Sequence, residues 1–300
     1  MKKFSALLLA LSLTLCLAGC GGTSAPQNDA QESQAQEETA QTPDNDAASE
    51  TPDDATPSDE ATPDEAAPSD ETETALMTVS PGKLTMSTNA AFPPYEMTTD
   101  AGGFEGIDVE IAGMIAEKLG LELQIDDMDF AAALLAVQSG KSDIVMAGVT
   151  VKEDRLKVMN FSDTYATGVQ VVIVPEGSDV TLDNLGEHMI GTQMATTGYQ
   201  YCSDDFGESH VTAYDNGITA VQALLNNVVD CVVIDNAPAK ALVASNPGLT
   251  ILDTEYTVED YAIGVDKNNT ALLDAINNAL AELKADGSIQ AVIDKYIPAE

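Results

Sequence analysis

The sequence predicts an α/β fold in two lobes, each a mainly parallel sheet flanked by helices. From Gly82 onward, short apolar runs alternate with stretches whose apolar residues recur at helical spacing. Strands that alternate with helices favour parallel sheets covered on both faces. The alternation forms two series, which separate near residues 171–177 and rejoin near residues 257–262. We therefore expect two hinge crossings, with lobe I at 76–171 and 262–300 and lobe II at 172–261.

The first series contains one clear helix. Ile111, Ile115 and Leu119 recur at four-residue spacing, and Gly120 follows them as a stop signal. The elements expected in this series are strands at 83–87, 121–125 and 143–147 and helices at 108–119 and 130–139.

The second series follows a β-branched run at 169–174 and the turn Pro175-Glu176-Gly177. It shows the same alternation and is followed by a further β run and two closing helices. The elements expected after the turn are strands at 188–192, 211–214, 230–234 and 261–265 and helices from 197 and at 217–226, 238–245, 272–284 and 289–296.

The first twenty residues predict an export signal. Two lysines precede an apolar run at 7–18, which is shorter than the roughly twenty residues that a lone spanning helix needs. The ending Leu17-Ala18-Gly19-Cys20 resembles the bacterial lipobox, which implies cleavage of a signal peptide at 1–19 and lipidation of Cys20. The expected protein is extracytoplasmic and is anchored to the outer face of the cell membrane through this lipid only. The alternative is an ordinary cleaved signal.

The segment that follows, 20–75, predicts a disordered tether. Residues 21–75 carry 16 acidic residues, no lysine or arginine, and almost no large apolar residues. Such a segment cannot bury enough surface to offset the entropy of ordering, and its prolines and charge repulsion keep it extended.

The remaining body is strongly acidic, with 34 acidic and 10 basic residues in 76–300. Nucleic acid binding needs clustered lysine and arginine, so this charge balance excludes nucleic acid partners. No metal site or cofactor is expected, because His188 and His210 are isolated and no Cys-x-x-Cys motif occurs. Cys202 and Cys231 could form a disulfide in an oxidising compartment or remain as two buried thiols.

Candidate ligand contacts lie where strands of the sheets end. In open α/β sheets, ligands bind beyond the carboxyl ends of the strands. The first strand runs into a loop that Pro93 and Pro94 hold stiff. Phe92 in this loop could face a ligand or pack under the loop, and Tyr95 is expected to pack.

Arg155, the single arginine of the chain, follows the strand at 143–147. Thr150 and Glu153 fit a capping box, which predicts a helix beginning after Thr150 and Arg155 in its second turn. The N-terminus of such a helix attracts anions, and a guanidinium can bind a carboxylate through two parallel hydrogen bonds. The structural alternative is a helix cap beside a surface arginine of little energetic value.

The second lobe offers hydroxyls and one carboxylate at its strand ends. The turn from Gln193 to Tyr199 includes Thr196 and Thr197 before a helix, and Asp235 ends the strand at 230–234. Asp235 could cap the next helix or accept a cationic group of a ligand. One arginine, one carboxylate, hydroxyls and an aromatic ring complement a free amino acid.

Residues 106–116, GIDVEIAGMIA, fit the signature of the family 3 extracellular solute-binding proteins at each defined position. The resemblance extends over about residues 82–297. Members of that family serve uptake of polar amino acids by ABC transporters. Further segments similar to the family occur in order at 89–96, 139–143, 147–155, 160–165, 229–238 and 259–265.

The resemblance implies the type II periplasmic-binding-protein fold and a role for each site residue. Arg155 and Thr150 would hold the ligand α-carboxylate, helped by the backbone of Ala147 and Gly148. Asp235 would take the α-ammonium from across the cleft. The remaining implied contacts are Phe92 stacked on the ligand, Phe130 on the wall of lobe I, and Thr196 and Thr197 closing on the carboxylate from lobe II.

Three positions depart from the family pattern. Asn89 stands where binders of basic amino acids often have aspartate, which argues against lysine, arginine or ornithine. Ala195 replaces the usual glycine of its turn. Gln193 could reach the variable end of the ligand, which favours a polar neutral side chain.

The expected function is capture of an amino acid by hinge closure and its delivery to ABC transporter permease subunits, by a protein that is a monomer and not an enzyme. One alternative is an enzyme on the same fold, similar to cyclohexadienyl or arogenate dehydratases. Acid–base catalysis needs a positioned group of suitable pKa, and neither histidine lies at an expected strand end. Another alternative is a free-standing amino acid sensor.

Overall fold

The structure, a computed structural model, describes residues 76–253 and 255–298. The expected signal peptide, Cys20 and the whole expected tether lie outside these residues. The strands are β1 Lys83–Thr88, β2 Ala91–Phe92, β3 Glu96–Thr98, β4 Phe104–Glu105, β5 Glu122–Asp127, β6 Ile144–Val145, β7 Met159–Phe161, β8 Ala166–Pro175, β9 Ile190–Gln193, β10 Val211–Tyr214, β11 Cys231–Asp235, β12 Leu249–Ile251, β13 Thr257–Tyr261 and β14 Gly264–Asp266. The α-helices are α1 Ile107–Lys118, α2 Phe130–Gln138, α3 Glu153–Leu156, α4 Thr197–Phe206, α5 Gly217–Leu225, α6 Asn236–Ser245, α7 Thr270–Ala285 and α8 Ser288–Tyr296.

The first large sheet has the strand order β5-β1-β6-β14-β7. Strand β1 pairs in parallel with β5 and β6, whereas β14 pairs antiparallel with β6 and β7. Alternating residues of the β6 segment cover both faces, because Ile144 belongs to the core on which α1 packs and Val145 to the core on which α2 packs. The sheet is therefore covered by helices on both sides, as the apolar pattern predicts.

The second large sheet has the order β10-β9-β11-β8-β12, with β13 also paired to β8. Its β9 pairs in parallel with β10 and β11, and β8 pairs antiparallel with β11, β12 and β13. In both sheets, the strands of the βα units pair in parallel. The strands that lie next to a chain crossing, β8 and β14, pair antiparallel with their neighbours. The two-lobed α/β fold predicted from the sequence is confirmed.

The chain passes between the two sheets close to Ala166 and again close to Tyr261. Strand β8 begins at Ala166, which already pairs with Tyr261 at the end of β13. The boundary expected at 171/172 falls inside β8, because Ala166-Thr167-Gly168 lacks the β-branched pattern that marks the rest of the strand. The β run expected at 261–265 is divided, with Tyr261 ending β13 in one sheet and Gly264 beginning β14 in the other.

The apolar pattern of the sequence does not predict several short strands. Strands β2, β3 and β4 form a small antiparallel sheet, and β7 and β12 are edge strands of three residues. Runs of two or three residues are too short to show an alternating pattern. In addition, β7 and β12 pair with strands that are distant in the sequence.

Cys202 and Cys231 are both buried as free thiols in the core of the second sheet. Burial raises the pKa of each thiol to about 12, so neither is a thiolate near neutral pH. Among residues 76–253 and 255–298, no helix has the length and apolar character needed to cross a membrane.

Candidate ligand-binding site

A cavity opens at strand ends contributed by both large sheets. Every residue predicted for the site lines this cavity. These residues are Asn89, Phe92, Phe130, Ala147, Gly148, Thr150, Arg155, Gln193, Thr196, Thr197 and Asp235. Four further residues complete the lining, namely Glu96, Gln170, Val233 and Ile234.

Arg155 supplies a buried positive charge to the cavity. The residue is 6% exposed, and its guanidinium donates to the backbone oxygens of Thr150 at 3.0 Å and Ala195 at 3.2 Å. Its Cζ atom lies 5.4 Å from the ring centre of Phe130. In the described part of the chain, no carboxylate lies within 4.0 Å of the guanidinium. Burial lowers the pKa of Arg155, as expected for a cation without an anionic partner in the interior.

The capping box expected at Thr150 is wrong. Helix α3 has four residues and begins after Lys152, and no side chain caps it. Thr150 instead forms a β-bridge with Tyr261, because the segment after β6 pairs with the second crossing. Arg155 lies in the single turn of α3, so a helix N-terminus does not provide the anion site. The Thr150 hydroxyl forms no hydrogen bond with the described residues, which leaves it and the guanidinium as donors.

Asp235 supplies a negative charge to the same cavity. Its carboxylate accepts hydrogen bonds from the Tyr261 hydroxyl and, at 2.9 Å, from Gln170 Nε2. Although Asp235 precedes α6, its side chain does not cap that helix, so the helix-cap alternative does not hold. Burial raises the pKa of Asp235 to about 7; the Tyr261 hydrogen bond opposes this shift and the charge of Glu259 adds to it. Within the described residues, no lysine or arginine lies within 4.0 Å of this carboxylate.

Phe92 and Gly148 form the floor of the cavity. The Phe92 ring stacks on Tyr95 at 5.7 Å, and Tyr95 packs edge-on against Tyr261 at 5.3 Å. Gly148 has φ +54°, and a Cβ atom there would lie 2.8 Å from Phe92 Cε1. The Gly148 N–H donates to Asp108 Oδ2 at 3.0 Å. The resemblance implied backbone help at this position for the ligand α-carboxylate, but the Gly148 N–H is already bonded to Asp108, and a carbonyl oxygen can accept only from the ligand ammonium.

The turn of the second lobe places Thr196 and Thr197 at the start of α4. Thr196 caps the helix by accepting from Tyr199 N at 3.2 Å, and it donates to the Gln193 carbonyl at 2.7 Å. Thr197 donates to Glu259 Oε2 at 3.0 Å. Because both hydroxyls are bonded within the protein, the unpaired N–H groups of the first helical turn remain as donors for a ligand. Ala195 has φ +65°, a strained value for alanine and the reason that glycine suits this position.

Two amides from opposite lobes meet at the cavity wall. Gln193 Nε2 donates to Asn89 Oδ1 at 3.0 Å, and Asn89 Nδ2 donates to the Met128 carbonyl at 3.0 Å. This contact joins the end of β9 to the loop after β1.

Glu96 and Gln170 line the cavity and were not predicted as site residues. Glu96 is fully buried, and burial followed by the neighbouring Asp108 charge raises its pKa well above the usual range. Gln170 is a polar residue inside a β-branched run, a signal that sequence reasoning could have used. The sequence places Glu96 as a spare acid near the cleft, in the loop after the first strand, but its position in the lining depends on the pairing of β2 with β3.

Replacing Gly168 by alanine is expected to destabilise the ligand-free protein by about 1–3 kcal/mol, because the new methyl group overpacks the interior. A Cβ atom there would lie 2.7 Å from Asp235 Oδ1 and would also collide with the Tyr261 hydroxyl. Thermal unfolding measures the effect. Gly113→Ala in α1 is the matched control, since nothing lies within 4 Å of its Cβ position and alanine favours a helix. Equal melting temperatures for Gly168→Ala and the native protein would contradict this packing.

The fold and the charged cavity define a two-lobed solute-binding protein. The sequence profile of the bacterial extracellular solute-binding proteins, family 3, matches residues 84–299. The chain therefore belongs to this family, as its motifs predict.

Named relatives and a solved structure cover most of the folded part. A probable histidine-binding protein of Neisseria gonorrhoeae is 30% identical over 76% of this chain and 88% of its own length. The L-cystine-binding protein TcyJ of Escherichia coli K12 is 28% identical over 73% of this chain and 84% of its own. The structure of an ancestral arginine-binding protein bound to glutamine superposes with a TM-score of 0.69 at 37% identity, covering 73% of this chain and 99% of that one.

Proposed function

We propose that this protein captures a free amino acid between its two lobes and delivers it to the permease of an ABC transporter. The observation that carries the proposal is the pair of opposite charges in one cavity. Arg155 and Asp235 both line it, and neither has an oppositely charged partner within 4.0 Å among the described residues. A zwitterion with a carboxylate at one end and an ammonium at the other neutralises both charges.

Each half of the ligand would meet a distinct set of groups. The α-carboxylate binds the Arg155 guanidinium and the Thr150 hydroxyl, and the first N–H groups of α4 approach it from the other lobe. The α-ammonium binds the Asp235 carboxylate and the backbone carbonyls at Ala147 and Gly148. Phe92 and Phe130 supply the apolar surface against which the body of the ligand packs.

Binding would proceed by closure of the lobes around the ligand. Arg155 donates to the Ala195 carbonyl across the cleft, Gln193 donates to Asn89, and Lys152 contacts Gln200. These contacts join the lobes in the described arrangement. A ligand that touches both lobes stabilises this form by its differential affinity, and exclusion of water strengthens its ion pairs. The protein acts as a monomer in this scheme.

The preferred ligand has a polar neutral side chain. Asn89 and Gln193 present amides to the cavity, and burial raises the pKa of the Glu96 carboxyl in the lining, so a cationic side chain would lack an ionised partner there. Relatives are named for histidine, cystine and arginine, so the class of ligand is an amino acid in each case. A thermal-shift screen of the full chain against the twenty amino acids, cystine and ornithine tests the proposal. A polar neutral amino acid should raise the melting temperature most, and no shift with any compound would contradict amino acid binding.

Ligand affinity is expected to fall as the pH drops through about 7. The pKa of Asp235 is raised to about 7 in the ligand-free site, whose nearby ionisable groups are Glu259, Tyr95 and Tyr261. A bound ammonium favours the charged form, so the complex holds fewer protons than the free protein. The affinity should therefore drop by up to about tenfold per pH unit below this value. Calorimetric titration between pH 5 and 8 measures it, and an affinity that rises on acidification would contradict the assignment.

The stability of the ligand-free protein should have the opposite pH dependence. The ordinary pKa of Asp235 is 3.8 and its pKa in the fold is about 7. Protonation therefore favours the fold, and this contribution is complete below about pH 4 and is lost as the pH rises through 7.

The extracytoplasmic protein is also proposed to be a lipoprotein. The support is the sequence of residues 1–20, in which Cys20 follows an apolar run and a lipobox-like ending. Mass spectrometry of the mature protein tests this. A diacylated Cys20 as first residue supports the anchor, and a mature chain that begins elsewhere contradicts it.

We assign no catalytic step to the site. His188 and His210 lie outside the cavity lining, and the Glu96 carboxyl beside Asp108 is not exposed to solvent. Incubation with prephenate or arogenate tests for dehydratase activity, and product formation would contradict this assignment.

A further inference from the structure

The Gln170 side chain joins two carboxylates at the edge of the cavity. Its Nε2 atom donates at 2.9 Å to Asp235 Oδ2 and at 2.9 Å to Glu259 Oε2. Gln170 is 1% exposed and Glu259 is 5% exposed, so the hydrogen bond between them is buried, whereas the bond to Asp235 is partly buried at the cavity. Because both oxygens contact one nitrogen, they are no more than twice that distance apart.

The register of the second sheet produces this arrangement. Gln170 on β8 lies directly opposite Asp235 on β11, and Gly168 lies opposite Glu259 on β13. Directly opposed residues share a face of the sheet, as do residues two apart in a strand. Two neighbouring strands therefore bring a carboxylate each to the face from which Gln170 projects.

The two carboxylates have no cation to separate their charges. In the described ranges, neither has a lysine or arginine within 4.0 Å. Like charges in the interior repel strongly unless hydrogen bonds satisfy them. A single amide that donates one N–H to each carboxylate supplies part of this compensation. Glu259 also accepts from the Thr197 hydroxyl at 3.0 Å, so the chain of hydrogen bonds reaches the first turn of α4.

We propose that Gln170 and Glu259 are positioning residues for ligand binding. The Gln170 amide fixes the direction of the Asp235 carboxylate, and Glu259 fixes that amide together with the Thr197 hydroxyl. One hydrogen-bonded unit thereby holds both Asp235, the partner of the ligand ammonium, and the turn at Thr197, which approaches the ligand carboxylate. This inference rests on the proposed function, because it assigns Asp235 to the ligand ammonium.

Gln170→Leu removes both donors at similar side-chain size. The affinity of the full chain for the amino acid found in the screen should fall about tenfold or more, since Asp235 loses its orientation and one hydrogen bond. The pH midpoint of binding should also rise, because Asp235 then faces the Glu259 charge without the intervening amide. The other ionisable groups that face these carboxylates are Arg155 and the three tyrosines Tyr95, Tyr201 and Tyr261. Unchanged affinity together with an unchanged midpoint would overturn the proposal.

A second substitution distinguishes positioning from general damage to the fold. Adding Glu259→Gln to Gln170→Leu removes the repelling charge, so the double variant should bind more tightly than Gln170→Leu and recover a lower midpoint. If the loss of affinity in the double variant equals the sum of the losses in Gln170→Leu and Glu259→Gln, the two residues are not coupled and the proposal is contradicted. Thr192→Val is the matched control, because Thr192 is a fully buried polar residue of β9 outside the cavity lining, and its affinity and midpoint should match the native protein.

A ligand-free measurement separates this inference from the proposed function. Carbon-13 NMR titration of the Asp235 carboxyl, assigned with Asp235→Asn, should give a higher pKa in Gln170→Leu than in the native protein. Equal pKa values would overturn the positioning role even if amino acid binding is established. A raised pKa in a protein that binds no amino acid would support the hydrogen-bonded unit and contradict the proposed function alone.

Discussion

Arg155→Ala is expected to abolish micromolar binding of the amino acid while the ligand-free protein unfolds at nearly its native temperature. Without the guanidinium, the ligand carboxylate is desolvated in the cavity with no charged partner. The loss should be about 3–5 kcal/mol, or two to three orders of magnitude in affinity. The fold loses two hydrogen bonds to carbonyls, but it also loses the cost of a buried cation without an anionic partner.

Two further variants test the reason for the loss. Lys157→Ala removes an exposed positive charge close in sequence and should leave the affinity unchanged. Arg155→Lys keeps the charge but loses the planar pair of donors, so its affinity should lie between those of the native protein and Arg155→Ala. Calorimetry gives the affinities. Native affinity in Arg155→Ala would remove this residue from the site.

Asp235→Asn is expected to weaken binding by about two orders of magnitude and to stabilise the ligand-free protein slightly. The change keeps the shape of the side chain but removes the charge that pairs with the ligand ammonium, a loss of about 2–5 kcal/mol for a buried pair. Ligand-free stability should rise near neutral pH, because the buried carboxylate with a pKa of about 7 no longer has to ionise.

The opposite signs of these two effects distinguish a binding residue from a structural one. A helix cap would lose stability on substitution and leave the affinity unchanged. Asp230→Asn, at an exposed aspartate just before the same strand, is the matched control and should leave the affinity unchanged. An unchanged dissociation constant in Asp235→Asn would contradict the ammonium assignment.

The strand ends were predictable because they depend on local pattern. Alternating apolar runs locate β1, β6, β9 and β11, and the rule that ligands bind beyond strand ends selects the segments that line the cavity. Within these segments, charge identified the individual site residues. Arg155 is the single arginine of a chain whose other basic residues are lysines, and Asp235 is a carboxylate at a strand end.

The sequence predictions differ from the structure where pairing with a distant segment overrides a local sequence signal. Thr150 matches a capping box, but its backbone pairs with Tyr261, more than a hundred residues away, and the helix begins later. The start of β8 at Ala166 likewise depends on its pairing with β13. The network of Gln170, Asp235 and Glu259 joins three strands, so its geometry follows from register, which one sequence does not display.

In the proposed complex, one cavity binds both charged groups of a single amino acid. Calorimetric titration of the full chain with the amino acid found in the screen, with its α-carboxamide and with its N-acetyl derivative tests this directly. We expect micromolar or tighter binding of the free amino acid and losses of at least about two orders of magnitude for each derivative, because each leaves one charge of the site unpaired. Binding of either derivative with the affinity of the free amino acid would contradict it.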